Sequence, residues 1–312
     1  MVISVIGTRP QYIKYAAMDA EIRRRGLTRE WVWIDSRQHY DHSVSGVFYD
    51  DFNLTDPVAK APDTGIGFML VWLEEIFVNL KPSMVVVYGD TNTTLVGALA
   101  AKRSDIPLAH VEAGRRANRF DLPEETNRVV ADALADLKLD KAGNLHLEAL
   151  KLISVKPPDD AKEYYLMDLH RNYNVDQGDR LKTALKQAEQ LDMPVKFIMH
   201  HRIASKPKYR NLEVLSPQPY AAMIQLIKGA IKVITDSGGI QREAYQLRIP
   251  CITMRPSTEW EETLNGGCNV LVEPDEITKA VLASGTPEWG DLFEDDEAKR
   301  IIEAVEAWVI GD

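Results

Sequence analysis

The chain has 312 residues, 45% of them hydrophobic and 27% charged, which is typical of a soluble globular protein and excludes a disordered or fibrous one. Its 37 Lys and Arg residues stand against 47 Asp and Glu residues, and the resulting net charge of -10 argues against a general nucleic-acid-binding surface. The two cysteines, Cys251 and Cys268, form no CxxC pair, so we expect reduced thiols and no metal bound through sulfur.

The chain starts with MVISVIGTRP, which has no basic leader and no long apolar segment of the kind that directs secretion. No apolar run approaches the ~18 residues of a membrane span. We therefore expect a cytoplasmic protein without a membrane partner. The length suits two domains of about 150 residues each, or one large α/β unit.

Short runs of β-favouring residues recur along the chain, and amphipathic stretches follow most of them. Strands that alternate with helices predict βαβ units and a parallel sheet, so the predicted fold class is α/β. The predicted strands cover residues 2–6, 31–34, 84–88, 108–111, 164–167, 195–199, 233–235 and 251–254. Polar residues follow each run directly, as expected of a binding cleft at the carboxyl ends of parallel strands. The alternative is that each is an ordinary polar loop.

The segment SVKPPDDAKE, residues 154–163, predicts a domain boundary, because Pro157 and Pro158 cannot lie inside a helix and the flanks are polar. Four predicted strands precede it and four follow. We therefore expect an N-terminal domain at residues 1–155 and a C-terminal domain at residues 156–295. The chain then ends in a predicted amphipathic helix over about residues 296–309.

The stretch TDSGGIQREA, residues 235–244, follows an apolar run and predicts an anion site. A strand that ends at Gly238 and Gly239 and turns into a helix leaves backbone N–H groups without intrahelical acceptors. The hydroxyl of Ser237 adds a donor. The pattern indicates a phosphate site at the start of this helix.

The cluster RQHYDH, residues 37–42, raises the alternative of a metal site, because His39, Asp41 and His42 lie close together in sequence. Two histidines three residues apart with one aspartate are a weak signal for a metal. We expect neither a metal nor a cofactor.

Several motifs, taken in order over almost the whole chain, resemble the non-hydrolysing UDP-N-acetylglucosamine 2-epimerases. They are GTRPQYIK (7–14), YGDTNTTLVGALAA (88–101), HVEAGRR (110–116), PEETNR (123–128), LHRNYNVD (169–176), TDSGGIQREA (235–244), TEWEET (258–263) and GCNVLV (267–272). The resemblance implies the glycosyltransferase-B architecture, in which two Rossmann-like domains face each other across a cleft. It also implies that the final helix, residues 296–312, packs back on the N-terminal domain, and that the protein is a homodimer.

The reaction that the resemblance implies is inversion at C2 of the sugar in UDP-N-acetylglucosamine, which gives UDP-N-acetylmannosamine. UDP is eliminated to leave a 2-acetamidoglucal and is then added back. Carboxylates suit both proton transfers if a closed site raises their pKa values. The positions that match the catalytic residues of the family are Asp90, Glu112, Glu124 and His170.

Sequence alone leaves the division of labour among these residues open. Glu112 or Asp90 is expected to be the C2 base, with Glu124 assisting proton transfer. The alternative for Asp90 is that it only caps the following helix. The alternative for His170 is an ordinary strand-end histidine.

The UDP moiety is expected to be held by cations, backbone N–H groups and one carboxylate, because its pyrophosphate gains charge as the bond breaks. The candidate binding residues are Arg9, Lys14, His200, Ser237, Gly238, Gly239 and Glu243. Arg9 suits bidentate phosphate binding, and Glu243 suits the two ribose hydroxyls. Lys14 has the alternative of a solvated surface lysine. In bacterial members the region of Gln38 and His39 helps to form a regulatory UDP-sugar site, but the loop APDTGIGF lacks the arginine that those members use.

The chain departs from the family pattern at several places. Gln11 and Tyr12 replace the usual Glu-Ala, Tyr173 stands where Glu is common, and Trp260 with Glu261 replaces Arg-Pro. The segment from residue 137 to residue 164 is shorter than the corresponding segment of relatives. Three alternatives to the epimerase therefore stay open: a hydrolysing enzyme that releases N-acetylmannosamine and UDP, an inactive UDP-sugar-binding paralogue, and a glycosyltransferase of the same fold.

Overall fold

The structure, a computed structural model, describes residues 1–38, 49, 51–116, 122–139, 144–176, 178–200, 202–203, 205–258, 260–283, 285–290 and 296–311. The chain divides into two compact units. One comprises Met1–Ile153 together with Phe293–Asp312, and the other comprises Ser154–Leu292.

The first unit contains a parallel sheet of six strands in the order β3-β2-β1-β4-β5-β6. The strands are β1 (Val2–Ile6), β2 (Trp31–Asp35), β3 (Ala59–Lys60), β4 (Met84–Tyr88), β5 (Leu108–Val111) and β6 (Leu137–Leu139). The helices around it are α1 (Arg9–Arg25), α2 (Ile66–Leu80), α3 (Asn92–Arg103), α4 (Pro123–Leu134) and α5 (Leu145–Leu152). Every residue of the central strands β1 and β4 is buried, as expected where helices cover both faces of a parallel sheet.

Helix α3 lies very close to the sheet at Gly97. A Cβ atom at this position would lie 2.8 Å from Cγ1 of Val87 and 3.4 Å from Cβ of Val5. Such a close approach leaves no room for a side chain, which gives the glycine of the motif TTLVGALAA a packing role.

The second unit repeats this plan with a parallel sheet in the order β12-β11-β10-β7-β8-β9. Its strands are β7 (Tyr165–Asp168), β8 (Val195–Ile198), β9 (Leu212–Leu215), β10 (Val233–Thr235), β11 (Cys251–Thr253) and β12 (Asn269–Leu271). Its α-helices are α6 (Asn172–Val175), α7 (Gly178–Glu189), α8 (Tyr220–Gly229), α9 (Gly238–Gln246) and α10 (Ile277–Leu282). Short 3₁₀ segments cover Glu261–Gly267 and Pro274–Glu276.

The last helix, α11 (Glu297–Gly311), belongs to the first unit. The carboxylate of Glu148 in α5 accepts hydrogen bonds from the backbone N–H groups of Glu297 and Ala298 at the start of α11. Arg25 at the end of α1 pairs with Glu303 at 2.9 Å and with Glu306 at 3.3 Å. These polar contacts hold α11 against α1 and α5.

The eight strands predicted from the sequence are all present, within one or two residues at their ends. The four strands that the prediction missed, β3, β6, β9 and β12, are the edge strands of the two sheets. Edge strands are covered less completely than central ones, and these four show mixed burial, so their sequences lack a continuous apolar run. Across the described part of the chain, no helix combines the length and hydropathy needed to cross a bilayer.

Candidate active site

The carboxyl ends of β4 and β5 bring Asp90 and Glu112 to the same edge of the first sheet. The two strands are neighbours and run parallel, with Tyr88 opposite Val111. Glu112 follows β5 directly and is 5% exposed. Its φ of +69° lies in the left-handed region, which non-glycine residues adopt at a cost of about 1–3 kcal/mol. The backbone is therefore strained at a candidate catalytic residue.

Lys14 of α1 forms an ion pair with Glu112. Its Nζ atom lies 2.5 Å from Oε2, and both side chains are nearly buried. A pair withdrawn from water in this way is held rigidly, because either charge would be costly to bury alone. The alternative that Lys14 is a solvated surface lysine is therefore wrong.

Gly89 leaves the space that this ion pair occupies. Its φ is +68°, and a Cβ atom there would lie 3.2 Å from Nζ of Lys14 and 3.4 Å from Oε2 of Glu112. Both the backbone conformation and the lack of space therefore favour glycine at the end of β4.

Asp90 is held by residues of α4. Arg128 donates through one terminal nitrogen to the carboxylate of Asp90 and through the other, at 3.0 Å, to the carbonyl oxygen of Glu112. Asn127 donates to the carbonyl oxygen of Asp90 at 3.0 Å. The alternative that Asp90 caps α3 is wrong, because the N-cap is Thr91, whose hydroxyl accepts from the N–H of Thr94.

Glu124 lies one helical turn before Arg128 of this cluster, on the same face of α4. It lies in the first turn of α4 and is solvent-exposed. Within the described residues, its carboxylate has no hydrogen bond to Asp90 or Glu112.

His110 and Asp132 lie beside the cluster, and the sequence motifs assigned a role to neither. Nδ1 of His110 lies 2.6 Å from Oδ1 of Asp132, and Nε2 lies 2.7 Å from the carbonyl oxygen of Gly89. The other oxygen of Asp132 accepts from the N–H of Gly114 and pairs with Arg116. Burial raises the pKa of Asp132, but the hydrogen bonds from His110, Gly114 and Arg116 outweigh burial and lower that pKa overall. A polar histidine inside the β5 run was the signal in the sequence, but its partner lies 22 residues away.

Gln11, one of the departures from the family pattern, ties the β1 and β4 ends together. Its Oε1 accepts from the N–H groups of Gly7 and Thr8, at 3.0 and 3.2 Å. Its Nε2 donates to the carbonyl oxygen of Tyr88 at 2.9 Å. A glutamate could not donate this last bond, so the amide has a defined structural role.

The remaining candidates of the first unit are Arg9, Gln38 and His39. Arg9 is the first residue of α1 and is half-buried. Oε1 of Gln38 accepts from both the N–H and the hydroxyl of Thr93 at 2.8 Å. His39 lies outside the described residues, as do Asp41 and His42, so the proposed regulatory site and the metal alternative stay predictions from the sequence.

In the second unit, Asp236 organises the turn that follows β7. This fully buried carboxylate accepts from the backbone N–H groups of His170 and Arg171, each at 3.0 Å. It also accepts from Nδ2 of Asn174 at 2.9 Å. Asp236 thereby fixes the backbone on which His170 lies.

The ring of His170 has an acidic neighbour of its own. Nδ1 lies 2.7 Å from Oδ1 of Asp168, the last residue of β7, and 3.7 Å from Oδ1 of Asp236. Burial lowers the pKa of His170, but the hydrogen bond to Asp168 and the charges of both aspartates outweigh burial and raise it overall. The ring centroid of His200, which follows β8, is 5.9 Å away.

The start of α9 has the form that the sequence predicted. Ser237 is the N-cap, and its hydroxyl oxygen accepts from the N–H of Ile240 at 3.4 Å. Gly238 and Gly239 form the first turn, where the N–H groups lack intrahelical acceptors. Glu243 lies one turn further on and is buried.

Asp168, His170 and Asp236 place three potential metal-ligating atoms within 4.8 Å of one another. The oxygens of Asp236 already accept three N–H groups, and Nδ1 of His170 faces Asp168. This set of atoms orients an imidazole and leaves few lone pairs for a cation.

Two further departures from the family pattern have defined contacts. The hydroxyl of Tyr173 hydrogen-bonds with Arg255, and burial raises the pKa of Tyr173. The ring of Trp260 lies 3.8 Å from the guanidinium carbon of Arg242, which is a cation–π contact.

Known proteins resemble this chain over nearly its whole length. The sequence matches the protein family described as UDP-N-acetylglucosamine 2-epimerase over residues 21–145 and 141–305. A UDP-N-acetylglucosamine 2-epimerase homolog of Methanococcus maripaludis is 37% identical over 317 residues, covering 87% of this chain and 88% of the relative. A UDP-2,3-diacetamido-2,3-dideoxy-D-glucuronate 2-epimerase of Pseudomonas aeruginosa is 31% identical, covering 95% of this chain and 94% of its own.

Solved structures extend the resemblance to the fold. The Methanocaldococcus jannaschii UDP-GlcNAc 2-epimerase in complex with UDP-GlcNAc and UDP has a TM-score of 0.82 at 30% identity, covering 98% of this chain and 99% of that one. The calicheamicin glycosyltransferase CalG4 has a TM-score of 0.52 at 15% identity, which is a likeness of fold alone. The predicted fold class of two Rossmann-like domains is confirmed.

The prediction that the chain is a shortened member of this family is confirmed as well. An alignment of 317 positions that covers 87% of a 312-residue chain must contain gaps in this chain. The chain belongs to the UDP-N-acetylglucosamine 2-epimerase family.

Proposed function

We propose that this protein is a UDP-N-acetylglucosamine 2-epimerase of the non-hydrolysing type, which interconverts UDP-N-acetylglucosamine and UDP-N-acetylmannosamine. The observation that carries the proposal is the buried Lys14–Glu112 ion pair, with Glu112 in a strained conformation next to Asp90. Strained residues concentrate at active sites, and carboxylates are the groups that this proton abstraction needs.

The reaction needs a base for the C2 proton and a donor that returns a proton on the opposite face. In the first half, a carboxylate takes the C2 proton, the C1–O bond breaks, and UDP leaves with the bonding electrons to give a 2-acetamidoglucal. In the second half, a proton is delivered to C2 from the other face and UDP adds back at C1. Asp90 and Glu112 are the two candidate proton carriers, and Lys14 and Arg128 hold them in place.

The departing diphosphate needs positive charge and N–H donors. The second unit offers the Nε2–H of His170, the hydroxyl of Ser237 and the N–H groups of Gly238 and Gly239, with His200 nearby and Glu243 suited to the ribose. Arg9 is the corresponding candidate in the first unit. Glu124, exposed at the start of α4, is an assisting residue only if substrate reaches that surface.

The test is proton NMR with UDP-N-acetylglucosamine in D2O. We expect deuterium at C2 together with a UDP-N-acetylmannosamine signal. Free N-acetylmannosamine and UDP would favour the hydrolysing branch, and UDP binding without exchange would favour an inactive paralogue. Transfer of the sugar to an acceptor without C2 exchange would favour a glycosyltransferase.

A Glu112→Gln variant keeps the size of the side chain and removes its charge. We expect turnover to fall about 1000-fold, in the range of lost acid–base catalysis. Glu30→Gln is the matched control, because Glu30 is exposed and lies just before β2, at the opposite end of the strands. Equal activity of both variants would contradict the proposed role of Glu112.

A second sugar nucleotide is also a candidate substrate. The Pseudomonas relative is named for UDP-2,3-diacetamido-2,3-dideoxy-D-glucuronate. In sequence alignments it is 31% identical to this chain, and the M. jannaschii UDP-N-acetylglucosamine 2-epimerase is 32% identical. The NMR assay with this sugar decides between the two, since the same C2 chemistry applies to both.

We also propose that the protein is a homodimer in the cytoplasm. Its product, UDP-N-acetylmannosamine, would be used to make an envelope or capsule polysaccharide. Helix α2 supports the dimer, because Phe68, Val71 and Val78 are 44%, 55% and 64% exposed and recur at helical spacing. A second copy of this chain is the occupant that the family resemblance implies. Light scattering of Val71→Asp with Val78→Asp is expected to show a monomer, whereas Val58→Asp, an exposed valine outside α2, leaves the dimer intact.

A further inference from the structure

The imidazole of His170 is surrounded by charged groups from three strand ends. Asp168 ends β7, Asp236 follows β10, and His200 follows β8; Arg171 is the neighbour in sequence. Two negative charges therefore face the ring, against one positive charge and one further imidazole. The balance favours the charged form of His170.

The two ring nitrogens of His170 have different surroundings. An ionised carboxylate only accepts hydrogen bonds, so Nδ1 must carry a proton to bond with Asp168. Within the described part of the chain, Nε2 has no hydrogen-bond partner, and the side chain is 37% exposed. A second proton on this ring therefore produces an N–H group that is open to a ligand.

Asp168 is not needed to hold the backbone of this turn. Asp236 already accepts from the N–H groups of His170 and Arg171 and from Asn174. Among the described residues, the side chain of Asp168 bonds only to the ring of His170. Asp168 also lies just before the motif LHRNYNVD, so the family resemblance assigned it no role.

We propose that Asp168 is a positioning residue, which keeps the imidazole of His170 charged and turned so that its Nε2–H binds the diphosphate of the nucleotide. The inference rests on the proposed function, because UDP is the anion that the site would hold. The Nε2 proton is shared in a hydrogen bond and is not transferred. The raised pKa of His170 agrees with this arrangement.

The test uses Asp168→Asn in the full-length protein. The amide oxygen can still accept from Nδ1, so the ring stays in place while the negative charge is lost. The ring titration of His170 is followed by NMR, with His170→Gln to assign the signal, and UDP affinity is measured by calorimetry. We expect His170 to titrate at lower pH in the variant than in the wild type.

The affinity for UDP is expected to depend on pH in a specific way. Below the titration midpoints of both proteins, His170 is charged in each and both bind UDP alike. Between the two titration midpoints, the variant is expected to bind about fivefold more weakly, as for the loss of a charge-assisted hydrogen bond. The alkaline limb of kcat/KM moves to lower pH by the same amount.

Asp192→Asn is the matched control. Asp192 accepts from the hydroxyl of Tyr165 at 2.9 Å, at the beginning of β7 rather than its end. This variant loses one carboxylate hydrogen bond in the same unit and is expected to leave the titration of His170 and the binding of UDP unchanged.

Two results would overturn the inference: an unchanged titration of His170 in Asp168→Asn, or a loss of UDP affinity that is equal at all pH values. The titration and the binding need no turnover, so they are independent of the assay in D2O. If wild-type protein binds UDP with the predicted pH dependence but does not exchange C2, the epimerase proposal fails and this inference stands. If the wild type does not bind UDP, both fail.

Discussion

Each unit of the molecule contains a histidine bonded to an aspartate, but the two pairs differ in what the second ring nitrogen does. His110 is fully buried, and its nitrogens face Asp132 and the carbonyl oxygen of Gly89. His170 bonds to Asp168 through Nδ1, is 37% exposed, and has Nε2 open. Both ring nitrogens of His110 are bonded within the protein, which makes the first pair closed. Nε2 of His170 can still donate to a ligand, which makes the second pair open.

The difference separates a structural histidine from one suited to binding. A closed pair stabilises the fold and, in the first unit, holds Gly89 beneath the Lys14–Glu112 ion pair. An open pair contributes less to stability because part of it remains hydrated. The effects of substitutions on the free energy of unfolding should therefore differ between the two pairs, both in size and in pH dependence.

The largest effect is expected for Asp132→Asn, which leaves the buried His110 without its carboxylate. Breaking a buried pair costs about 3–5 kcal/mol, and we expect a loss of free energy of unfolding near the lower value in urea titrations. Arg116→Ala removes only the partly exposed partner of Asp132 and should cost about 1 kcal/mol or less. Similar costs for both variants would contradict the closed character of this pair.

A smaller effect is expected for Gly89→Ala, which tests the link from His110 to the ion pair. The left-handed backbone should cost about 1 kcal/mol, and the added Cβ would also press on Lys14 and Glu112. We expect turnover in the D2O assay to fall by more than the loss of stability explains. Gly26→Ala is the matched control, because Gly26 has φ +73° with no atom near its Cβ position. That variant should lose stability alone.

The smallest effect is expected for the stability of Asp168→Asn, at about 1 kcal/mol or less. The pKa of His170 is raised in the folded state, so its stabilisation is complete below the ordinary histidine pKa and is lost as pH rises through the raised value. The deficit of the variant should therefore be present near about pH 6 and should vanish at higher pH.

Asp132→Asn should behave differently over the same range. The pKa of Asp132 is lowered, so its stabilisation is present above the ordinary aspartate pKa and is lost only as pH falls through the lowered value. Its deficit should persist where that of Asp168→Asn disappears. Thermal unfolding at several pH values measures both, and parallel curves would contradict the comparison.

The fold could be predicted from the sequence where burial is complete. The central strands β1 and β4 are buried on both faces, and such strands appear in the sequence as unbroken apolar runs. The edge strands β3 and β12 have exposed residues, and their pattern resembles that of loops. Gly89 and Gly97 lie where neighbouring atoms leave little room for a Cβ atom. The sequence could not predict which residues those neighbours are.

The candidate site could likewise be predicted from the sequence only in part. Local order along the chain is enough to place Asp90, Glu112 and Ser237 directly after strands, because the end of a strand is a property of a few adjacent residues. Glu124 has a matching motif, yet it lies on the exposed first turn of α4, and within the described residues it has no hydrogen bond to the other two carboxylates. Motif position specifies the residue type and not the direction in which a side chain points.

The sequence by itself determined the α/β class, the central strands and the residues that carry the family resemblance, since these depend on local periodicity and composition. Only the tertiary structure decided the pairings, namely Lys14 with Glu112, His110 with Asp132, and Asp236 with the turn after β7. These partners are 98, 22 and 66 residues apart. The packing of strands and helices brings them together, and no local pattern encodes that packing.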